Sequence, residues 1–160
     1  GTNVFYTFNR KDHIDKTLPS FQDEEDVHVA IDFNVGIMAS VIFAIRGSQI
    51  HILDEMQGHP DTETLARALT EKYNGHRIIS YPDPSGRARK TSAAVGVTDF
   101  KILETNKIVT RAHSKAPPIV DSVAAVNKKF KNAVENFQLA EMIERTKHYH
   151  QKLLEKSFLS

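Results

Sequence analysis

Val27-His28-Val29-Ala30-Ile31-Asp32-Phe33 is the stretch on which the fold turns. β-Branched and apolar residues dominate it, which marks a core strand, yet a carboxylate interrupts the apolar run at Asp32. Burying an ionised carboxylate is expensive unless a cation or strong donors compensate. Two readings of Asp32 are open: a strand-end residue bonding loop amides, or a metal ligand held rigidly by the sheet.

Working outward, Ile37–Ile45 is almost wholly apolar and Gln49–Leu53 continues the strand pattern. Gly47-Ser48 between them suits a two-residue hairpin turn, because glycine accepts a positive φ. An antiparallel meander of three strands is expected. Pro60 then opens a helix, with Asp61 and Glu63 in its first turn, Leu65, Leu69 and Tyr73 on its buried stripe and Asn74-Gly75 at its end. The short apolar run Arg77–Tyr81 follows and stops at Pro82-Asp83-Pro84-Ser85-Gly86. A helix leading into a short core strand is the crossover that makes the new strand parallel to its neighbour.

Residues 87–105 read as a mobile loop with one helical turn around Val97–Leu103, and Ile108–Ala112 as a further strand. Pro117-Pro118 starts a long helix with Ile119, Val123, Val126, Phe130, Val134 and Phe137 at helical spacing; Leu139, Met142, Ile143, Leu153 and Leu154 extend the pattern. Upstream, residues 1–26 read as an entry segment whose Phe5, Tyr6 and Phe8 lie on the domain surface, followed by a solvated acidic loop. Three strands, a helix, two strands and C-terminal helices is the order of the α/β ribonuclease H-like fold, a central mixed β-sheet flanked by α-helices.

The bulk composition narrows the chemistry. The chain has 160 residues, enough for one well-packed domain, and no cysteine, so a metal here must be held by oxygen or histidine. Its net charge of +1 gives no global attraction to nucleic acid, which leaves only local clusters for that role. No apolar run is long enough to cross a bilayer, and no signal-peptide pattern opens the chain. The start at Gly1-Thr2 is that expected of a piece excised from a longer protein.

Asp83 is the second acid of interest, fixed between two prolines directly after a core strand. It is either a turn former or, should its strand lie beside the first, a partner of Asp32. Two carboxylates on one spot repel unless a divalent cation lies between them. Mg²⁺ or Mn²⁺ suits such an oxygen site, and a pair of ions about 4 Å apart activates water and stabilises the leaving oxygen of a phosphodiester. Asp54-Glu55, at the end of the third strand, is ordinarily a solvated pair, with Glu55 as an accessory metal ligand in the functional reading. Arg87, Arg89, Lys90, Arg111, Lys115 and Lys128 cluster around this acidic region in sequence; they read as solvated charge or as contacts to DNA phosphates. His148 and His150 have no ligand spacing on a helix, and His28 is expected at the surface. Serine-nucleophile motifs and a Gly-rich Lys-Ser/Thr phosphate loop are missing from the sequence.

The segments Val29-Ala30-Ile31-Asp32-Phe33-Asn34, Ile52-Leu53-Asp54-Glu55, Tyr81-Pro82-Asp83-Pro84-Ser85-Gly86 and Ala112–Asp121 resemble the C-terminal nuclease domain of tailed-phage terminase large subunits. Val4-Phe5-Tyr6, Phe8 and His13 are similar to the stretch that joins that domain to the packaging motor. The resemblance covers about residues 4 to 131. It implies a metal-dependent endonuclease that cuts double-stranded concatemeric viral DNA during genome packaging, in the cytoplasm of a bacterial host. It assigns Asp32 and Asp83 as catalytic ligands of Mg²⁺ or Mn²⁺, bound as a pair of ions. It further implies an ATPase motor domain preceding residues 1–26, a nuclease domain over 27–160, and a portal and small terminase subunit as partners.

The likeness stops after Phe130: a third catalytic Asp that the family carries before a final helix has no match in the atypical helical tail, residues 132–160. A catalytically impaired DNA- or partner-binding domain of the same fold is therefore the alternative. An actin-like ATP-binding fold ranks below both, because Asn34 stands where those proteins place a glycine for phosphate approach.

Overall fold

The computed structural model describes residues 4–33, 37–84 and 97–133. They fall into two compact units, one formed by residues 17–116 and the other by the segments on either side of them.

The larger unit is built on a five-stranded mixed sheet. Strands β1 (Val27–Asp32), β2 (Met38–Arg46) and β3 (Gln49–His59) form the expected antiparallel meander, with Gly47 at φ 62° in the two-residue turn. Helix α2 (Thr62–Lys72) crosses over to β4 (Ile78–Pro82), which lies parallel to β1. Helix α3 (Asp99–Thr105) leads to β5 (Val109–Thr110), parallel to β4. The sheet order is β3-β2-β1-β4-β5, with β2 alone antiparallel to the rest, which is the ribonuclease H-like arrangement.

One face of this sheet makes the core. Val27, Val29, Ile31 and Phe33 alternate on to it from β1, and Leu65, Leu69 and Tyr73 from α2 and Leu103 from α3 cover them. Helix α2 starts two residues later than expected from Pro60: Asp61, expected in the first turn, is instead the N-cap, accepting from the Thr64 N–H at 2.7 Å, while Gly75 lies at φ 91° beyond the last turn. Thr62 and Asp99, the first residues of α2 and α3, are fully buried and joined by a 2.7 Å hydrogen bond, which ties the two helix starts together.

Strand β3 runs six residues past the expected end at Leu53. Two register shifts against β2 leave Leu53 and Gly58 as the extra residues, and Gly58 at φ 83° absorbs the second bulge. The expected turn around Val97–Leu103 is α3, capped by Thr98. Residues 34–36 and 85–96 lie outside the described residues.

In the smaller unit, α1 (Arg10–His13) is a single turn and α4 is a helix described over residues 119–133. Buried Asn127 fixes the two segments together: its carboxamide donates to the Val4 carbonyl at 3.1 Å and accepts from the Thr7 hydroxyl at 2.8 Å. Phe5, Phe8 and His13 pack their rings against Phe130, with centroids 4.9 to 6.5 Å apart. The aromatics of the entry segment thus have a partner within their own unit. The tail beyond residue 133 lies outside the described residues.

Candidate active site

The parallel pairing of β1 with β4 sets Val27 opposite Ile78 and continues to Ile31 opposite Pro82. The next pair in this register is Asp32 and Asp83. The Asp83 N–H donates to the Ile31 carbonyl at 3.4 Å, which carries the ladder to that point. Paired strands lie about 4.8 Å apart, so the two acids stand side by side. They do so at the carboxyl ends of β1 and β4, the edge where open α/β sheets collect their ligands.

Asp32 lies between core residues Ile31 and Phe33, so alternation turns it to the opposite face, and both acids are exposed. This corrects the expectation of a carboxylate buried in an apolar strand. Desolvation is not what marks Asp32; the like charge at its side is. On its other flank Asp32 pairs with Ala39, whose methyl group leaves room for the carboxylate, and Ala39 pairs with Gln57.

Glu55 reaches the same face but not the same place. It pairs with Val41, which pairs with Ala30, so it stands two strands over and two pairs back. That is about 10 Å across the strands and 7 Å along them. Neighbouring Asp54 turns to the core side, where it accepts from Lys72 Nζ at 2.6 Å and from the Tyr73 hydroxyl. Burial works to raise its pKa, but these two bonds outweigh it and hold the carboxyl below its usual range. Asp54 is thereby part of the α2 packing.

Among the described residues no three His, Asp or Glu side chains converge as a metal cluster. The pair Asp32 and Asp83 still suits a hard divalent cation, since Mg²⁺ is commonly held by one or two carboxylates, with water and substrate phosphate completing its shell.

His28 is buried rather than at the surface. Its ring forms a three-ring cluster with Phe43 and Tyr81, whose own centroids are 6.0 Å apart, and Nδ1 lies 3.0 Å from the Tyr81 hydroxyl. Burial keeps the imidazole pKa below its usual value, with the Asp26 charge opposing. Tyr81, half-buried, thus stands two residues before Asp83 on the same face, opposite Ala30.

Of the basic residues, Arg111 is tied by its backbone to the strand that ends at the acids. Its N–H donates to the Ser80 carbonyl at 2.8 Å, extending the pairing of β5 with β4, and its side chain lines an open cleft of about 760 Å³. Pro82 and Pro84, on either side of Asp83, line the same cleft, as does His113, whose segment the sequence singles out without giving the imidazole a role. Lys115 is exposed in the same unit; Lys128 is exposed on α4 of the smaller one. Arg87, Arg89 and Lys90 lie outside the described residues.

No protein-family model matches the chain, and no curated protein does. Solved structures do. The large terminase of a thermophilic bacteriophage superposes on 79% of this chain and 33% of its own, with a TM-score of 0.57 at 13% sequence identity. The same terminase in complex with ADP gives a TM-score of 0.57 at 13% identity, over 79% of this chain and 32% of that one. The chain thus spans about a third of the length of the terminase chains it matches, and at this identity the likeness is one of fold.

Proposed function

We propose that the chain is a metal-dependent DNA endonuclease domain of the phage large-terminase kind, cutting double-stranded concatemeric DNA during genome packaging. The observation that carries this reading is the Asp32–Asp83 pair, side by side at the carboxyl edge of a sheet whose fold is shared with part of a large terminase. Mg²⁺ or Mn²⁺, as a pair of ions, supplies the Lewis acidity and the activated water that phosphodiester cleavage needs. Asp32 and Asp83 hold the ions and fix where the scissile phosphate lies. Rigid strands set their spacing, which is what orientation of a reacting phosphate requires.

Arg111 and Lys115 neutralise flanking phosphates, and Arg87, Arg89 and Lys90 supply further phosphate contacts; such contacts position DNA without reading its sequence. Glu55 is too distant to share an ion with both acids. The full-length protein would add an ATPase motor, a portal and a small terminase subunit as partners, in the cytoplasm of a bacterial host. No helix among the described residues is long and apolar enough to cross a membrane.

A second reading, a DNA- or partner-binding domain of the same fold with impaired catalysis, is favoured by one observation: only two carboxylates meet at the site among the described residues. Plasmid nicking separates the two. An endonuclease relaxes supercoiled DNA with Mg²⁺ or Mn²⁺ and loses this in Asp32→Ala and Asp83→Ala. Cleavage that persists in both variants overturns the assignment of the site, and salt-sensitive DNA binding without cutting selects the second reading.

A further inference from the structure

The cleft beside Asp83 has walls that phosphate binding alone does not call for. Pro82, Pro84, Tyr81 and Phe100 give it flat apolar surface, Arg111 brings a cation and His113 an imidazole to it, and Glu104, which lines it too, has Lys101 Nζ 3.8 Å away. Its volume of about 760 Å³ lies within the range of small-ligand pockets. The arginines of this unit differ in how they are used. Arg46 and Arg77 are engaged by Glu25 and Asp26, and Arg67 by Glu63. Arg111 is exposed and, among the described residues, makes no ion pair, although its backbone is anchored to β4.

We infer that this cleft is a subsite for one unpaired nucleotide of the DNA strand next to the bond being cut. The base lies against the proline and aromatic walls, and its phosphate is held by Arg111 and His113. Base stacking on such walls tolerates any sequence, because every base has a π-face. A fully paired B-form duplex keeps its bases stacked inside and cannot fill the cleft. The subsite therefore makes the domain prefer DNA that is locally opened at the cut. This rests on the proposed nuclease reading for its purpose, though its binding chemistry stands apart from cleavage.

The test is DNA binding in EDTA, so that no cutting is involved. Two duplexes of equal length are compared, one fully paired and one with a single unpaired 2-aminopurine. The unpaired duplex is expected to bind about tenfold more tightly, in line with the contribution of one stacked base, and its 2-aminopurine fluorescence to be quenched. Arg111→Ala should weaken both duplexes and lower the salt slope by about one. Phe100→Leu keeps an apolar side chain but removes the flat ring; it should reduce quenching and narrow the affinity gap between the two duplexes. Equal affinity for the two duplexes with unquenched fluorescence overturns the subsite, and this outcome is read on the unsubstituted chain, whatever the stability of the variants. Quenching without any plasmid nicking would remove the nuclease reading and leave the subsite standing.

Discussion

At the edge of the sheet where β1 and β4 begin, Arg46 meets Glu25 at 2.8 Å and Arg77 meets Asp26 at 2.6 Å. At the edge where they end, Asp32 lies next to Asp83. The first edge sets an arginine against each acid; the second sets two acids at adjacent register positions. Arg46 shows how complete the first arrangement is: it bonds both Glu25 oxygens and the carbonyls of Pro19 and Ser20, which straps the loop before β1 to the end of β2. Under the proposed nuclease reading, the contrast separates charge that serves the fold from charge that would serve a metal ion.

The largest effect should come from altering the edge with two acids. Asp32→Asn or Asp83→Asn should lower metal-dependent nicking by on the order of 10²-fold or more, because ion-supplied stabilisation of several kcal/mol depends on these ligands. The domain should stay folded, as a urea titration checks, because both side chains are exposed. Unchanged nicking in either variant would end the distinction drawn between the edges. EDTA should act on activity as the substitutions do.

Arg46→Ala probes the opposite edge. Both side chains of its ion pair are mostly shielded, at 19% and 18% exposure, so the loss should be about 1–3 kcal/mol of stability by denaturant titration, with nicking retained at temperatures where the variant is folded. The same pair predicts an acid limit. Hydrogen bonding from Arg46 comes first among the causes that lower the Glu25 pKa from 4.5 to about 2. The native state thus favours the carboxylate, and its contribution is fully present above pH 4.5 and lost as the pH falls towards 2. Unfolding midpoints measured across that window should fall with acid, and less so in Glu25→Gln. Arg77→Ala should have the smallest effect, a barely measurable shift of the unfolding midpoint, because its side chain is 59% exposed and solvent screens the pair.

Much of this was legible in the sequence where periodicity has a physical cause. The stripe of Leu65, Leu69 and Tyr73 marked α2, and an amphipathic helix followed by a short apolar run marked the parallel crossover that brings Asp83 to Asp32. The end of β3 was not legible, since Gln57-Gly58-His59-Pro60 has loop composition and only the bulge at Gly58 lets pairing continue. Glu55 could be seen as an acid near a strand end, but its distance from the pair depends on register and strand order, which one strand does not encode. His28 read as a surface residue because its cover, Phe43 and Tyr81, comes from two other strands. The links from Arg46 to Glu25 and from Asp54 to Tyr73 join positions about twenty residues apart through side chains alone, with no local pattern to announce them.

The register between β1 and β4 also has a consequence in time. Hairpin β2–β3 closes over two residues and can form early, whereas Val27 must find Ile78 across the whole meander and α2. Pairings of such long sequence separation carry the loop-closure cost that slows folding. The two acids are thus neighbours only once the sheet has been completed on its far side. A chain still in the course of folding holds Asp32 and Asp83 apart, so the paired site comes into being with the finished domain and not before it.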